Sequence, residues 1–208
     1  KHNKSLIRFV QISTDEVYGD MADVRGGHLG ADEGFKLKGS SYYAACKASA
    51  DLLVEAAGRT FGLPYLITRT CNNFGPNQDP EKFLPKIMKS IAEGSEVPVY
   101  GDGNQVREWI HVDDNVKFIF HLMMNPHASK AEVYNIGSGV THTNIDIIRK
   151  ISDILGKEVK YKFVEDRLGH DRKYLLNSTK LESQMSHWPE LTTLSYFIRE
   201  QLREHIEG

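Results

Sequence analysis

The sequence has little cysteine: Cys46 and Cys71 are the only two in 208 residues, too few for a disulfide frame and in keeping with free thiols in a reducing compartment, the cytoplasm. It has no apolar run long enough to cross a bilayer, which excludes a membrane-spanning helix, and no opening segment with the character of a signal peptide. It has no basic excess. A formal charge of −2 excludes the broad electrostatic footprint of a nucleic-acid binder, so any phosphate is met by a local site. A Gly-x-Gly-x-x-Gly turn is also absent: Gly101-Asp102-Gly103 and Gly137-Ser138-Gly139 come nearest, and each stops short of the third glycine and fits a turn. Internal repeats and low-complexity tracts are missing too. With 40% hydrophobic and 26% charged residues, the chain reads as one globular domain, or one domain with a small lobe.

Periodicity gives the elements. The β-branched run Ile7 to Ser13 predicts a strand, and a buried parallel strand at that position calls for sheet neighbours. Ser40 to Phe61 predicts a helix with Ser40 or Ser41 as N-cap and Gly62 as its stop, followed by a strand from Pro64 to Thr68. Strand, helix, strand in that order is a parallel crossover, so the class is α/β. Asn72 to Pro76 reads as a turn-rich loop. Helices are expected over Lys82 to Glu93, from an Asp113 cap to Met124, over Asn144 to Leu155, and over Leu194 to Ile206. Strands are expected at Val97 to Tyr100, Glu132 to Ile136, Val159 to Val164 and Lys173 to Leu176. The glycine-rich stretch from Gly26 to Gly39 is expected to form a loop over the site.

Two clusters carry chemistry. Thr14-Asp15-Glu16 follows the first strand directly, and the ends of strands in an open α/β sheet are where ligands bind. Tyr43 and Lys47 stand four apart near the start of a helix and share one face. Using a phenol of pKa ~10 as a base near neutrality takes roughly 3 units of depression, about 4 kcal/mol, which a nearby ammonium and a cationic cofactor can supply. Tyr42 is a rival for that role, but the residue four beyond it is Cys46, which carries no charge. A strand-end acid pair beside a Tyr-x-x-x-Lys helix gathers a base and two carboxyls around one small pocket.

These segments resemble a known family. Ser13-Thr14-Asp15-Glu16-Val17-Tyr18-Gly19, Tyr43-Ala44-Ala45-Cys46-Lys47, Arg69-Thr70-Cys71-Asn72-Asn73-Phe74-Gly75-Pro76, Pro80-Glu81-Lys82-Phe83-Leu84-Pro85, Tyr100-Gly101-Asp102-Gly103 through Arg107 and Trp109, Tyr134-Asn135-Ile136-Gly137, and Glu165 through Arg172 are together similar to the dTDP-glucose 4,6-dehydratases, extended short-chain dehydrogenase/reductases of the NAD-dependent epimerase/dehydratase family. The resemblance runs from near the start of the chain to about Leu181. It implies a Rossmann-like doubly wound parallel sheet, of which residues 1–75 form the part bearing the catalytic motifs. Residues 76–208 are then mainly a substrate-binding lobe, interleaved with sheet elements returning near 110–140.

The resemblance also implies roles. Tyr43 takes the proton of the sugar 4-hydroxyl as NAD takes hydride from C4, Lys47 lowers the phenol pKa and holds the nicotinamide ribose, and Thr14 hydrogen-bonds the same hydroxyl. Glu16 removes the C5 proton and a protonated Asp15 assists the departing C6 hydroxyl. Tyr43, Lys47 and Asn73 face the cofactor. Thr14, Asn72, Lys82, Arg107, Asn135, Arg167 and His170 face the nucleotide-diphosphate sugar, and no metal is called for. Family members dimerise through helices that include the Tyr-x-x-x-Lys helix, so a homodimer is implied for a complete protein.

The family's glycine-rich turn and first helix, which hold the cofactor pyrophosphate, have no counterpart in these 208 residues, and roughly a hundred residues of the doubly wound sheet are expected to be missing at the N-terminal side. Two alternatives stand beside the dehydratase reading. One is a relative acting on a UDP-sugar, a decarboxylase or 4-epimerase, which needs Tyr43 and Lys47 but does not eliminate water. The other is a catalytically silent module that binds a sugar nucleotide.

Overall fold

The computed structural model describes residues 7–22, 30–125 and 131–207. The chain is α/β, and the described residues form three small sheets. Strand β1 (Phe9–Thr14), β2 (Tyr65–Thr70) and β6 (Ala131–Ile136) form a parallel sheet in the order β1-β2-β6, with Thr14 opposite Thr70 and Arg69 opposite Asn135. The middle strand, β2, is covered on both faces, as a central parallel strand must be. Parallel pairing of β1 with β2 requires a long crossover, supplied by helix α1 (Tyr42–Phe61). Ser41 Oγ accepts from Ala44 N at its start, and Gly62 ends it at φ 67°, a left-handed conformation that costs glycine little.

The second sheet pairs β3 (Asn72–Phe74) in parallel with β5 (Val106–His111), which runs antiparallel to β7 (Thr141–Thr143). The third pairs β4 (Val97–Tyr100) with β8 (Tyr161–Val164). Helices α2 (Phe83–Ala92), α3 (Val112–Met124), α4 (Asn144–Leu155), the single turn α5 (Thr179–Glu182) and α6 (Leu194–Glu207) complete the order. Helix α4 opens on a capping box in which Thr143 and Asp146 satisfy each other's backbone N–H.

Two apolar cores result. One gathers Val17, Leu66, Ile110, Phe118, Leu122, Tyr134 and Ile136 between α3 and the first sheet. The other gathers Phe74, Leu84, Ile87, Trp109, Ile148, Ile151 and Ile198 among α2, α4 and α6. Their boundary falls between Trp109 and Ile110, so β5 has a side chain in each.

Several expectations need correction. Asn72–Phe74 is a strand, because its backbone pairs with Trp109 to His111 rather than turning. Helix α3 is capped by His111, whose Nδ1 accepts from Asp113 N at 3.2 Å, and not by Asp113. Lys173 to Leu176 forms only isolated bridges, Lys173 to Val106 and Leu176 to Ala31, and no strand. Gly26 to His28, within the expected loop, lie outside the described residues. No helix among the described residues is long and apolar enough to cross a membrane.

Candidate active site

The chemistry collects where β1 ends. Thr14 leaves the strand with extended backbone, its Oγ1 accepts from Glu16 N at 3.3 Å, and the chain winds into a single 3-10 turn, Asp15–Tyr18. That cap turns Asp15 inward and Glu16 outward. Asp15 is 3% exposed. Its Oδ1 accepts from the Thr14 hydroxyl at 3.2 Å, and its Oδ2 has no partner among the described residues. Burial, reinforced by the charges of Glu16 and Glu108, pushes its carboxyl up to about 8, so Asp15 carries a proton at neutral pH.

Glu16 opens onto a cleft of about 460 Å³ walled by Lys82, Tyr100, Arg107, Trp109 and Tyr174. Burial raises its carboxyl above the ordinary value, and the Arg107 guanidinium offsets part of that rise. Arg107 is held for this by its own surroundings: Nη2 donates to Asp171 O at 2.7 Å, Nη1 to Val106 O at 2.9 Å, and its guanidinium carbon lies 4.3 Å from the centre of the Tyr174 ring. The Tyr174 hydroxyl donates in turn to Asp171 Oδ2 at 2.5 Å.

Helix α1 passes alongside. Tyr43 is 55% exposed and within the field of both carboxyls, since partial burial, Glu16 and Asp15 all raise its phenol. Lys47 reaches β1, donating from Nζ to Ile12 O at 2.5 Å. Four of the groups expected together, Thr14, Asp15, Glu16 and Tyr43, therefore share one locus, with Lys47 bonded two residues upstream of Thr14 on the same strand. In the chain by itself the Tyr43 phenol lies above its ordinary value, through burial first and then the charges of Glu16 and Asp15.

Residues 1–137 match the family model described as the NAD dependent epimerase/dehydratase family. The chain belongs to that family. The low-salt glycan biosynthesis protein Agl12 of Haloferax volcanii is 48% identical over 177 residues, covering 85% of this chain and 55% of the relative. A dTDP-glucose 4,6-dehydratase of Streptomyces griseus is 41% identical over 182 residues, covering 87% of this chain and 53% of that one. In structure, the dTDP-glucose 4,6-dehydratase DesIV of Streptomyces venezuelae, solved with NAD and TYD bound, superposes with a TM-score of 0.86 at 37% identity, over 97% of this chain and 60% of that one. The chain thus spans about half the length of the curated relatives it matches.

Within this epimerase/dehydratase fold, Asn72, Lys82, Arg107, Arg167 and His170 line the cleft with Glu16. Arg167 is stacked over the Tyr100 ring at 4.1 Å, and His170 Nδ1 bonds Asp166 Oδ1 at 2.6 Å. Asn135 does not join them. It is 0% exposed, its Oδ1 accepts from the Tyr18 hydroxyl at 2.7 Å and its Nδ2 donates to Ala31 O and Asn177 O. The side chain is used up inside the fold, on a stretch of β6 where both faces are covered, Tyr134 and Ile136 being buried as well. Asn73 is likewise turned inward, with Nδ2 on Cys71 O at 3.0 Å and Oδ1 accepting from Asn115 Nδ2 at 2.9 Å.

Sequence reasoning missed Tyr174, Trp109 and Asp171 as parts of the site. Alternation along Val106–His111 was the available signal, since it sends Arg107 and Trp109 to one face and Glu108 to the other.

Proposed function

We propose that this chain carries the acid, the base and the substrate cleft of a dTDP-glucose 4,6-dehydratase, converting the nucleotide-linked glucose to its 4-keto-6-deoxy form. The observation that carries the reading is the unequal acid pair: a buried Asp15 whose carboxyl is pushed up to about 8, next to a cleft-facing Glu16 whose rise on burial is partly offset by Arg107. Elimination of water across C5 and C6 needs one group that gives a proton and one that takes it, and two adjacent carboxyls with opposed environments fill those roles. Decarboxylation and 4-epimerisation eliminate no water and leave the pair without a task.

The residues divide the work as follows. Tyr43, as phenolate, accepts the proton of the 4-hydroxyl, with the Thr14 hydroxyl beside it. Glu16 accepts the C5 proton, which the adjacent carbonyl has made acidic. Asp15 donates its proton to the C6 oxygen as it leaves as water. Lys82, Arg107 and Arg167 meet the diphosphate, for which a guanidinium fork is well shaped, with Asn72 and His170 on the same wall.

The donors present fit a nicotinamide cofactor. The Lys47 ammonium has three donors and places one on Ile12 O, which leaves two for ribose hydroxyls beside the half-exposed Tyr43. NAD, when bound, supplies the hydride acceptor for C4 and donor for C6, and a cationic ring that offsets the two carboxyls raising Tyr43. The relatives' further length is where its pyrophosphate would be held. We propose a homodimer for such a longer protein, with the exposed Tyr42, Leu53 and Phe61 of α1 at the contact, and a place in the cytoplasm.

The test supplies dTDP-glucose and NAD to the chain alone and to the chain joined behind the N-terminal half that its relatives carry. Formation of the 4-keto-6-deoxy product by the joined protein is the expected result. Binding of the sugar nucleotide without product in either form would leave a binding module instead.

A further inference from the structure

Asp166 is a carboxyl that the proposed chemistry does not use. It stands two residues past β8 and, ionised near neutrality, can only accept hydrogen bonds. Its Oδ1 accepts from Arg167 N at 2.8 Å and from His170 Nδ1 at 2.6 Å, and its Oδ2 accepts from Gln105 Nε2 at 3.0 Å. The first two bonds are local. The third comes from 61 residues earlier in the chain, from a glutamine that is 0% exposed. Gln105 Oε1 accepts in turn from Asn144 Nδ2 at 3.3 Å. The turn after β4 approaches the carboxylate because residue 101 is glycine: its φ is 59°, and a Cβ there would lie 2.6 Å from Asp166 Oδ2.

Arg167, His170 and Asn144 line the cleft, whereas Asp166 and Gln105 do not. One carboxylate outside the cleft thus ties together three side chains that face it. The consequence is sharpest at His170. A carboxylate brings no hydrogen to the bond, so Nδ1 carries it, and Nε2 is the one ring nitrogen left for a ligand. From this arrangement we infer that Asp166 is a positioning residue for the nucleotide-diphosphate sugar: it fixes the His170 ring through Nδ1 and so presents Nε2 to the ligand. The inference rests on the proposed reading of the cleft as a sugar-nucleotide site.

Holding the fold together is a poorer account of Asp166. The His170 and Asp166 side chains are 17% and 38% exposed, and an ion pair so open to water adds little stability. The loop is also tied down without it: Arg172 Nη1 donates to Asp102 Oδ1 at 2.7 Å, and Gly101 N donates to Val164 O at 3.0 Å. What Asp166 supplies is a ring already oriented, which the ligand does not have to order as it binds.

Two measurements on the 208-residue chain test this. The first is the tautomer of His170, read from long-range ¹H–¹⁵N spectra of histidine-labelled chain at about pH 9, where an imidazole is neutral. The signal is assigned by its absence from the His170→Ala spectrum. Wild-type His170 is expected as the Nδ1–H form, and in Asp166→Ala as mostly the Nε2–H form that a free side chain prefers. The second is calorimetric titration with dTDP. Asp166→Ala and His170→Ala are each expected to weaken binding about five- to tenfold, and the double variant no further than His170→Ala alone. The melting temperature of Asp166→Ala is expected within about 3 °C of the wild type.

A role confined to holding the loop would leave the tautomer unmoved and would add its loss to that of His170→Ala. Additive losses, or an Nε2–H ring in the wild type, overturn the inference and leave the cleft as a sugar-nucleotide site. A wild-type chain that binds no dTDP takes down both. Should Asp166→Ala not fold, Asp166→Leu, similar in size and without an acceptor, is judged by the same two readings, and the wild-type tautomer decides without either variant.

Discussion

At Asp15 burial works against ionisation, and that fixes the sign of two effects. The unfolded carboxyl titrates near 4, the folded one at about 8. Between those values the folded state holds a proton that the unfolded state has lost, so wild-type stability declines as pH rises through that window. Asp15→Asn removes the term. Its melting temperature is expected to gain on the wild type progressively from pH 4 to pH 8 and then level off, read by thermal scans across buffers; a gap that does not change with pH would mean that Asp15 is ionised throughout. Activity in the complete enzyme is expected to fall by about 10²–10⁴, the usual contribution of a positioned acid. Tyr43→Phe is expected to lose activity on a similar scale while sugar-nucleotide binding, followed by calorimetry, stays within about threefold.

The same residues show what could be read from sequence. Thr14, Asp15, Glu16, Tyr43 and Lys47 were legible because strand end and helix face bring local spacing directly into the site. Asn135 was expected at the substrate because its motif, Tyr134-Asn135-Ile136-Gly137, carries no sign of what its amide meets inside the fold. That depends on Tyr18 and Ala31, more than a hundred residues earlier in the chain.

Among the elements, α1 has to be fixed against both β1 and β2 for Tyr43 to stand over the Asp15–Tyr18 turn. A buried cluster does this. Asp51 of α1 accepts from Arg69 Nε of β2 at 2.9 Å and from Ser13 Oγ of β1 at 2.9 Å, and both ionic side chains are essentially inaccessible. Removing one partner leaves the other charge stranded, so Asp51→Ala is expected to cost about 3–5 kcal/mol in denaturant unfolding. The double replacement Asp51→Leu with Arg69→Met is expected to recover much of that loss. A double variant as unstable as the single one would show that the Tyr18 and Asn135 bonds to the same network, not the ion pair, carry the energy.

Long periodic helices were legible to within two residues, as α1, α2, α4 and α6 are. Strands β3, β5 and β7 were not. Their sequences are short or mixed with charge, and what makes them strands is a partner distant in the chain, as when Asn72 meets Trp109.

For the molecule as a whole, a formal charge of −2 gives a doubly anionic diphosphate no general attraction. Recognition must come from cations concentrated at the cleft, and these are of two kinds. Lys82 and Arg167 stand exposed on its rim, where salt screens them within a Debye length of about 10 Å at 0.1 M. Arg107 is buried and locked in direction by the carbonyls of Val106 and Asp171 and by the Tyr174 ring. The two kinds predict different signatures in calorimetric titrations with dTDP at about 0.05 and about 0.5 M NaCl. Lys82→Ala and Arg167→Ala are expected to weaken binding a few-fold at low salt and to flatten its salt dependence, because each removes a screened charge. Arg107→Lys keeps the charge but loses the fork, and is expected to weaken binding about tenfold or more at both salt concentrations, leaving the salt dependence as it was. An Arg107→Lys chain that binds like the wild type would place the diphosphate on the rim alone, and Arg107 would then serve only to offset the effect of burial on Glu16.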